Sequence, residues 1–110
     1  LKVVSRGAYK TVIDEVVEEA SKIVASEFCK FVDAMGSKRY VDIIKAINRE
    51  GATWSQIKRY LEIRLGIKIY DSELARLLRN LINNGFIDKR DDTYVIPDPI
   101  LRHTTINITC

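Results

Sequence analysis

Apolar residues recur at spacings of three and four along most of this chain and give way to short extended runs only near its end. Between residues 9 and 34 the apolar positions include Val12, Ile13, Val16, Val17, Ala20, Ile23, Val24, Phe28, Phe31 and Val32. Such spacing lays one stripe along a helix. Asp14, Glu15, Glu18 and Glu19 lie toward its start and Lys30 toward its end, the arrangement a helix dipole favours. Thr11 is a candidate cap, and Gly36-Ser37 closes the segment. A helix this long braces the compact region behind it, connects to a further domain, or forms one arm of a dimer. The pattern leaves all three readings open.

A second helix is expected over residues 39–50, with Tyr40, Ile43, Ile44 and Ile47 inward and Gly51 at its end. Thr53 and Gln56 then form a capping box for a third helix, in which the Gln side chain returns to the cap amide. Its apolar positions Trp54, Ile57, Leu61 and Leu65 recur at three, four and four, and Gly66 stops it. Residues 67–70 are expected to be extended and to supply a small first strand. Asp71 or Ser72 caps the next helix, whose inward set is Leu74, Leu77, Leu78, Leu81 and Ile82. Asn83-Asn84-Gly85 ends it, because Asn and above all Gly tolerate the left-handed conformation at a helix C-terminus.

Residues 86–89 and 94–96 flank the polar tip Arg90-Asp91-Asp92-Thr93 and predict a β-hairpin. Pro97 and Pro99, on either side of Asp98, end it. Residues 100–110 read as a last extended piece or a loose end. The expected fold is therefore mainly α with a small β-hairpin, a winged helix-turn-helix preceded by a long N-terminal helix. Three segments follow from it: 1–36 as connector or dimerisation arm, 37–102 as the winged domain, and 103–110 as a tail.

A chain of 110 residues supports one modest core. At 46% hydrophobic and 30% charged residues it is neither disordered nor fibrous in composition. No apolar run approaches the roughly 18 residues of a membrane helix, and no cleavable apolar segment follows a basic start. Membrane association is not expected. Leu1 rather than Met at the first position suggests a fragment or a processed product. Cys29 and Cys110 lack ligand spacing; the sequence leaves a disulfide between them open but favours reduced thiols in a cytoplasmic setting, with Cys29 buried and inert and Cys110 frayed. His103 has no second histidine or nearby cysteine to complete a zinc site, and no metal or cofactor is expected.

Net charge is +3, unevenly spread: residues 1–36 hold five basic and six acidic side chains, residues 37–110 thirteen and nine. The excess of positive charge in the second segment suits phosphate contact. In a helix-turn-helix the second helix enters the major groove, and here its outward residues are Ser72, Arg76, Arg79, Asn80 and Asn83 beside Glu73. Arg offers a fork to guanine and Asn pairs with adenine, so these are candidate readers of double-stranded DNA. Lys58, Arg59, Arg64 and Lys68 are candidates for flanking phosphates. Lys89 and Arg90 could serve at the wing, although Asp88, Asp91 and Asp92 around them repel phosphate. Tyr40, Tyr60, Tyr70 and Tyr94 are expected at the core edge with their hydroxyls in water. Catalysis finds no support: there is no phosphate loop, no Ser/His/Asp cluster and no HExxH motif, and Asp91-Asp92 on a hairpin tip are turn formers.

The residues Gly51-Ala52-Thr53-Trp54-Ser55-Gln56-Ile57, Asp71-Ser72-Glu73-Leu74 through Gly85-Phe86-Ile87, and Tyr94-Val95-Ile96-Pro97-Asp98-Pro99-Ile100-Leu101-Arg102 together resemble the C-terminal winged-helix domain of the archaeal P-loop, AAA-like ATPases. The last stretch carries most of the resemblance, since that family leaves its wing through a Tyr-x-x-x-Asp-Pro-x-x-Arg element. The resemblance implies a module whose parent hydrolyses ATP elsewhere, because the Walker loops are absent from this chain. It also implies structural roles for Asp98, Pro99 and Arg102: Asp98 accepting backbone amides, Arg102 pairing with it or lying against the preceding helix. The leading expectation is a non-catalytic DNA-binding module. The alternatives are a protein-interaction domain of an ATPase, with the ATPase core as partner, and a homodimeric structural module.

Overall fold

The computed structural model describes the backbone from residue 6 onward and the side chains from residue 15. Eight elements follow in order: α1 (Arg6–Met35), α2 (Arg39–Ile47), β1 (Ala52–Thr53), α3 (Trp54–Leu65), α4 (Asp71–Asn83), β2 (Asp88–Arg90), β3 (Thr93–Val95) and α5 (Pro99–Thr104). This is a mainly helical winged fold with a long leading helix. α1 begins before Thr11, so that residue lies inside the helix rather than at its cap. The side chains of Thr11, Val12, Ile13 and Asp14 lie outside the described residues.

The core forms where the predicted stripes converge. Tyr40, Ile43, Ile44 and Ile47 of α2 are fully buried and meet Ile57 and Leu61 of α3 and Leu74, Leu77, Leu78 and Leu81 of α4. Ile82, expected inward, is instead 37% exposed. α2 ends a turn short of the expectation because Asn48 takes φ 45°, a value Asn tolerates better than most residues. Its side chain accepts from the Glu50 amide at 2.9 Å. The capping box is present: the Gln56 amide donates to Thr53 Oγ1 at 3.3 Å, and the Thr53 amide donates to Gln56 Oε1 at 2.9 Å.

The small sheet departs from expectation. Residues 67–70 form no strand; β1 is Ala52–Thr53, and the strand order is β1-β3-β2, antiparallel throughout. Ala52 pairs with Tyr94 and Thr53 with Thr93, while Arg90 pairs with Thr93 on the other side. The turn into α3 thus runs along the free edge of β3, and Gly51 permits it. With φ 82°, a Cβ there would meet the Tyr94 carbonyl oxygen at 3.0 Å. Residues 67–70 serve another purpose. The Ile69 amide donates to Glu62 Oε2 at 3.0 Å, which fixes the loop between α3 and α4 and drives Ile69 into the core.

The C-terminal residues correct the expectation of a loose end. Asp98 caps α5, its Oδ1 accepting from the amides of Ile100 at 2.8 Å and Leu101 at 3.4 Å. α5 packs against α1, and Leu101, Thr104, Thr105 and Ile108 are all buried. Cys110 then reaches Cys29, with Cα atoms 5.2 Å apart, and the two form a disulfide. The expectation of reduced thiols is corrected on this point: folding the tail back along α1 brings distant sulfurs within bonding range.

Four aromatic rings join α1 to the winged domain. Phe28 meets Phe86 edge-on at 5.1 Å between centroids, and Phe31 lies 5.0 Å from both Tyr40 and Phe86. Further toward the N-terminus the stripe emerges from the core, with Val16 63% and Ile23 55% exposed.

Candidate interaction surfaces

α3 and α4 make the helix-turn-helix pair, and ion pairs clamp them to each other and to α2. Lys58 Nζ lies 2.7 Å from Asp71 Oδ1, Arg64 Nε 3.6 Å from Asp42 Oδ1, and Arg39 pairs with Glu73. The hydrogen bond that Lys58 donates to Asp71 holds its ammonium above the ordinary pKa against the opposing effect of burial, helped by the charges of Asp71 and Glu62. Asp71 is the first residue of α4, whose cap position is Tyr70 with no side-chain cap bond. The expected capping by Asp71 or Ser72 is therefore replaced by this ion pair between helices.

These pairs change what the candidate readers can do. Lys58 is committed to Asp71, and Arg90 leans toward Asp88 at 3.9 Å. Asn80 is half-buried, its amide donating to the Tyr40 hydroxyl at 2.9 Å. It belongs to the α2–α4 contact, and the Tyr40 hydroxyl is buried rather than in water. Tyr94 is buried as well, whereas Tyr60 and Tyr70 are exposed. Ser72, Arg76, Arg79 and Asn83 stay exposed on α4, as do Arg59 of α3 and Lys68 after it. None of the cations among these six has an ion pair among the described residues. Lys89 stands over the Tyr94 ring at 5.7 Å, and the wing turns at Asp91 with φ 55°. The acidic tip is a turn, as the residue types suggested.

The cleft between α3 and α4, about 610 Å³, is lined by Lys58 and Arg59 but also by Glu62 and Asp71. Beside the wing a smaller one, about 380 Å³, sets Lys89 against Asp92. Neither presents the one-signed face that phosphate favours. Asp98 and Pro99 build the α5 start; Arg102 makes no ion pair with Asp98, and its Nε is buried without a hydrogen-bond partner.

A second surface lies along α1. Val16, Ala20 and Ile23 follow one another at four and three residues on one side of the helix, with Glu15, Glu19 and Glu27 beside them. A cleft of about 700 Å³ runs between α1 and the C-terminal segment, lined by Val17, Ser21, Ala25, Thr104 and Ile108 among others. Sequence periodicity found the stripe; only packing shows which part of it remains uncovered. Glu62, Arg39 and Glu73 carried no sequence signal beyond charge, since their partners lie on other elements. Among the described residues no group of three or more His, Cys, Asp or Glu is placed to hold a metal ion, and no helix is long and apolar enough to cross a membrane.

Residues 34–96 match the family described as the MCM protein C-terminal winged helix-turn-helix domain. Among solved structures, a Walker-type ATPase of Pyrococcus abyssi is 32% identical, with a TM-score of 0.75. The match covers 92% of this chain and 28% of that protein, so the chain spans little more than a quarter of the ATPase it resembles. No curated protein matches the chain.

Proposed function

Because this chain belongs to the MCM-type C-terminal winged helix-turn-helix family, we propose that it acts as a non-catalytic docking module of a larger Walker-type ATPase, meeting protein through α1. The observation that carries this reading is the exposure of Val16 and Ile23 on a helix whose continuation, Phe28 and Val32, is buried. Apolar side chains in a helical row, rimmed by carboxylates, suit a partner surface with an apolar centre and basic edges. In this reading α1 is both connector and contact, and the ATPase body is its partner. The extent of the similarity to the Pyrococcus ATPase supports the same view.

Calorimetric titration against an ATPase core from the same source tests it. Saturable binding is expected, and the pair Val16→Asp and Ile23→Asp should weaken it at least tenfold with the melting temperature unchanged. Both side chains are exposed, so the core does not depend on them. Binding indifferent to the pair would remove α1 from the interface. Self-association abolished by the same pair would instead make α1 the arm of a homodimer.

A second reading, contact with double-stranded DNA, rests on the exposed cations Arg59, Lys68, Arg76 and Arg79, with Lys89 at the wing. Five such groups set a ceiling of about −4.5 on the slope of log K against log salt. Fluorescence anisotropy with a random duplex, from low to physiological salt, measures that slope. The docking reading expects no binding at physiological salt. If DNA is bound through α4, Arg76→Glu with Arg79→Glu should abolish it, and an unchanged binding constant would sink the groove assignment.

A further inference from the structure

The turn after α2 and the short helix α5 bring three basic side chains to one place, away from the residues used in either reading above. Arg49, Arg102 and His103, with Pro99, line a hollow of about 260 Å³. Arg49 Nη2 and His103 Nδ1 stand 3.3 Å apart. Arg102 Nε is buried and has no hydrogen-bond partner. A guanidinium N–H withdrawn from water without an acceptor is unfavourable, and natural structures seldom leave one so.

No carboxylate lines the hollow, and none of its three basic residues has an ion pair among the described residues. Asp98, the acid closest in sequence to Arg102 and His103, is occupied in capping α5 with the amides of Ile100 and Leu101. The adjoining cleft shares Arg49 and adds Lys45 and Arg64, with Glu50 as its one acid. Arg64 is drawn away from it toward Asp42.

We propose that this hollow binds a tetrahedral phosphate-class oxyanion. Arg49 and Arg102 supply guanidinium N–H groups and His103 a ring N–H. Three donor groups, one from the turn after α2 and two from α5, suit the several oxygens of a phosphate better than the two coplanar oxygens of a carboxylate. The same chemistry is offered by a free nucleotide phosphate and by a nucleic-acid backbone phosphate. The site is independent of the docking role of α1, and either can fail without the other.

The test is an NMR titration of the isotopically labelled chain with inorganic phosphate, at constant ionic strength maintained with chloride. The Nε–Hε signals of Arg49 and Arg102 and the ring signals of His103 should shift together and saturate. Arg49→Gln and Arg102→Gln should each weaken binding at least tenfold. Lys30→Gln on exposed α1 should leave it unchanged, and amide spectra away from the site should show every variant folded. Separate titrations with ADP and with a short DNA duplex identify the source: whichever saturates the same signals at lower concentration carries the phosphate. Shifts that grow linearly, that chloride alone reproduces, or that survive both glutamine variants overturn the site. Acetate acting as strongly as phosphate overturns it too, since the hollow would then be a carboxylate contact.

Discussion

Opening the Cys29–Cys110 disulfide is expected to lower the unfolding free energy by about 4.5 kcal/mol. The bond joins residues 81 apart in sequence, and the chain-entropy relation for a loop of that length gives this value. Its effect lies mainly in the unfolded chain, which regains the freedom of a long open loop. The native state loses something as well. Ile108, 3% exposed, and Thr105, fully buried, are held beside α1 by a tail whose last residue is the bonded cysteine. Urea unfolding with and without a thiol reductant, and of Cys29→Ser, measures the effect. The reduced chain should also show a steeper dependence on urea, since its denatured state exposes more surface. A shift below about 1 kcal/mol would mean that the loop-entropy account fails here.

Phe28→Ala should cost about 3–5 kcal/mol, the range for removing a fully buried phenyl ring. Phe28 is completely inaccessible, and its ring meets Phe86 at 85° and 5.1 Å, Phe31 at 6.2 Å. Phe31 continues the contact to Tyr40 on α2. Removing Phe28 therefore opens a cavity where α1 crosses the loop before the wing, and it loosens the helix from the domain it precedes. Ile23→Ala, one turn and a half earlier on the same helix, should change stability by only about 0.5 kcal/mol because that side chain is 55% exposed. Equal losses from the two substitutions would show that α1 is not anchored by the ring cluster. A double-mutant cycle between Phe28 and Phe86 should give a coupling of about 0.5–1.5 kcal/mol, as for other aromatic pairs.

The candidate interaction residues divide by the same logic. Arg76 and Arg79 stand exposed on α4 because the helical period that buries Leu74, Leu77, Leu78 and Leu81 turns them outward. That much follows from spacing. Asn80 shares their strip in sequence, yet its amide is bonded to Tyr40, forty residues away. Lys58 and Asp71 were both visible as charges, but their pairing needed α3 and α4 to be set side by side. What distinguishes a free cation from a committed one is the position of the opposite charge, and local pattern does not carry that information.

By itself the sequence determined the features whose partners lie within a turn or two. The helical stripes, the Thr53–Gln56 box, the glycine stops and the two-acid hairpin turn depend on spacings of a few residues, and local sterics and hydrogen bonds settle them. Tertiary structure alone decided where β1 pairs, that Glu62 holds the Ile69 amide, that the tail closes on Cys29, and which part of the α1 stripe stays bare. Each of these joins groups on separate elements. Their energies become available only after the core has brought those elements together, and periodicity along the chain is blind to contacts made across it.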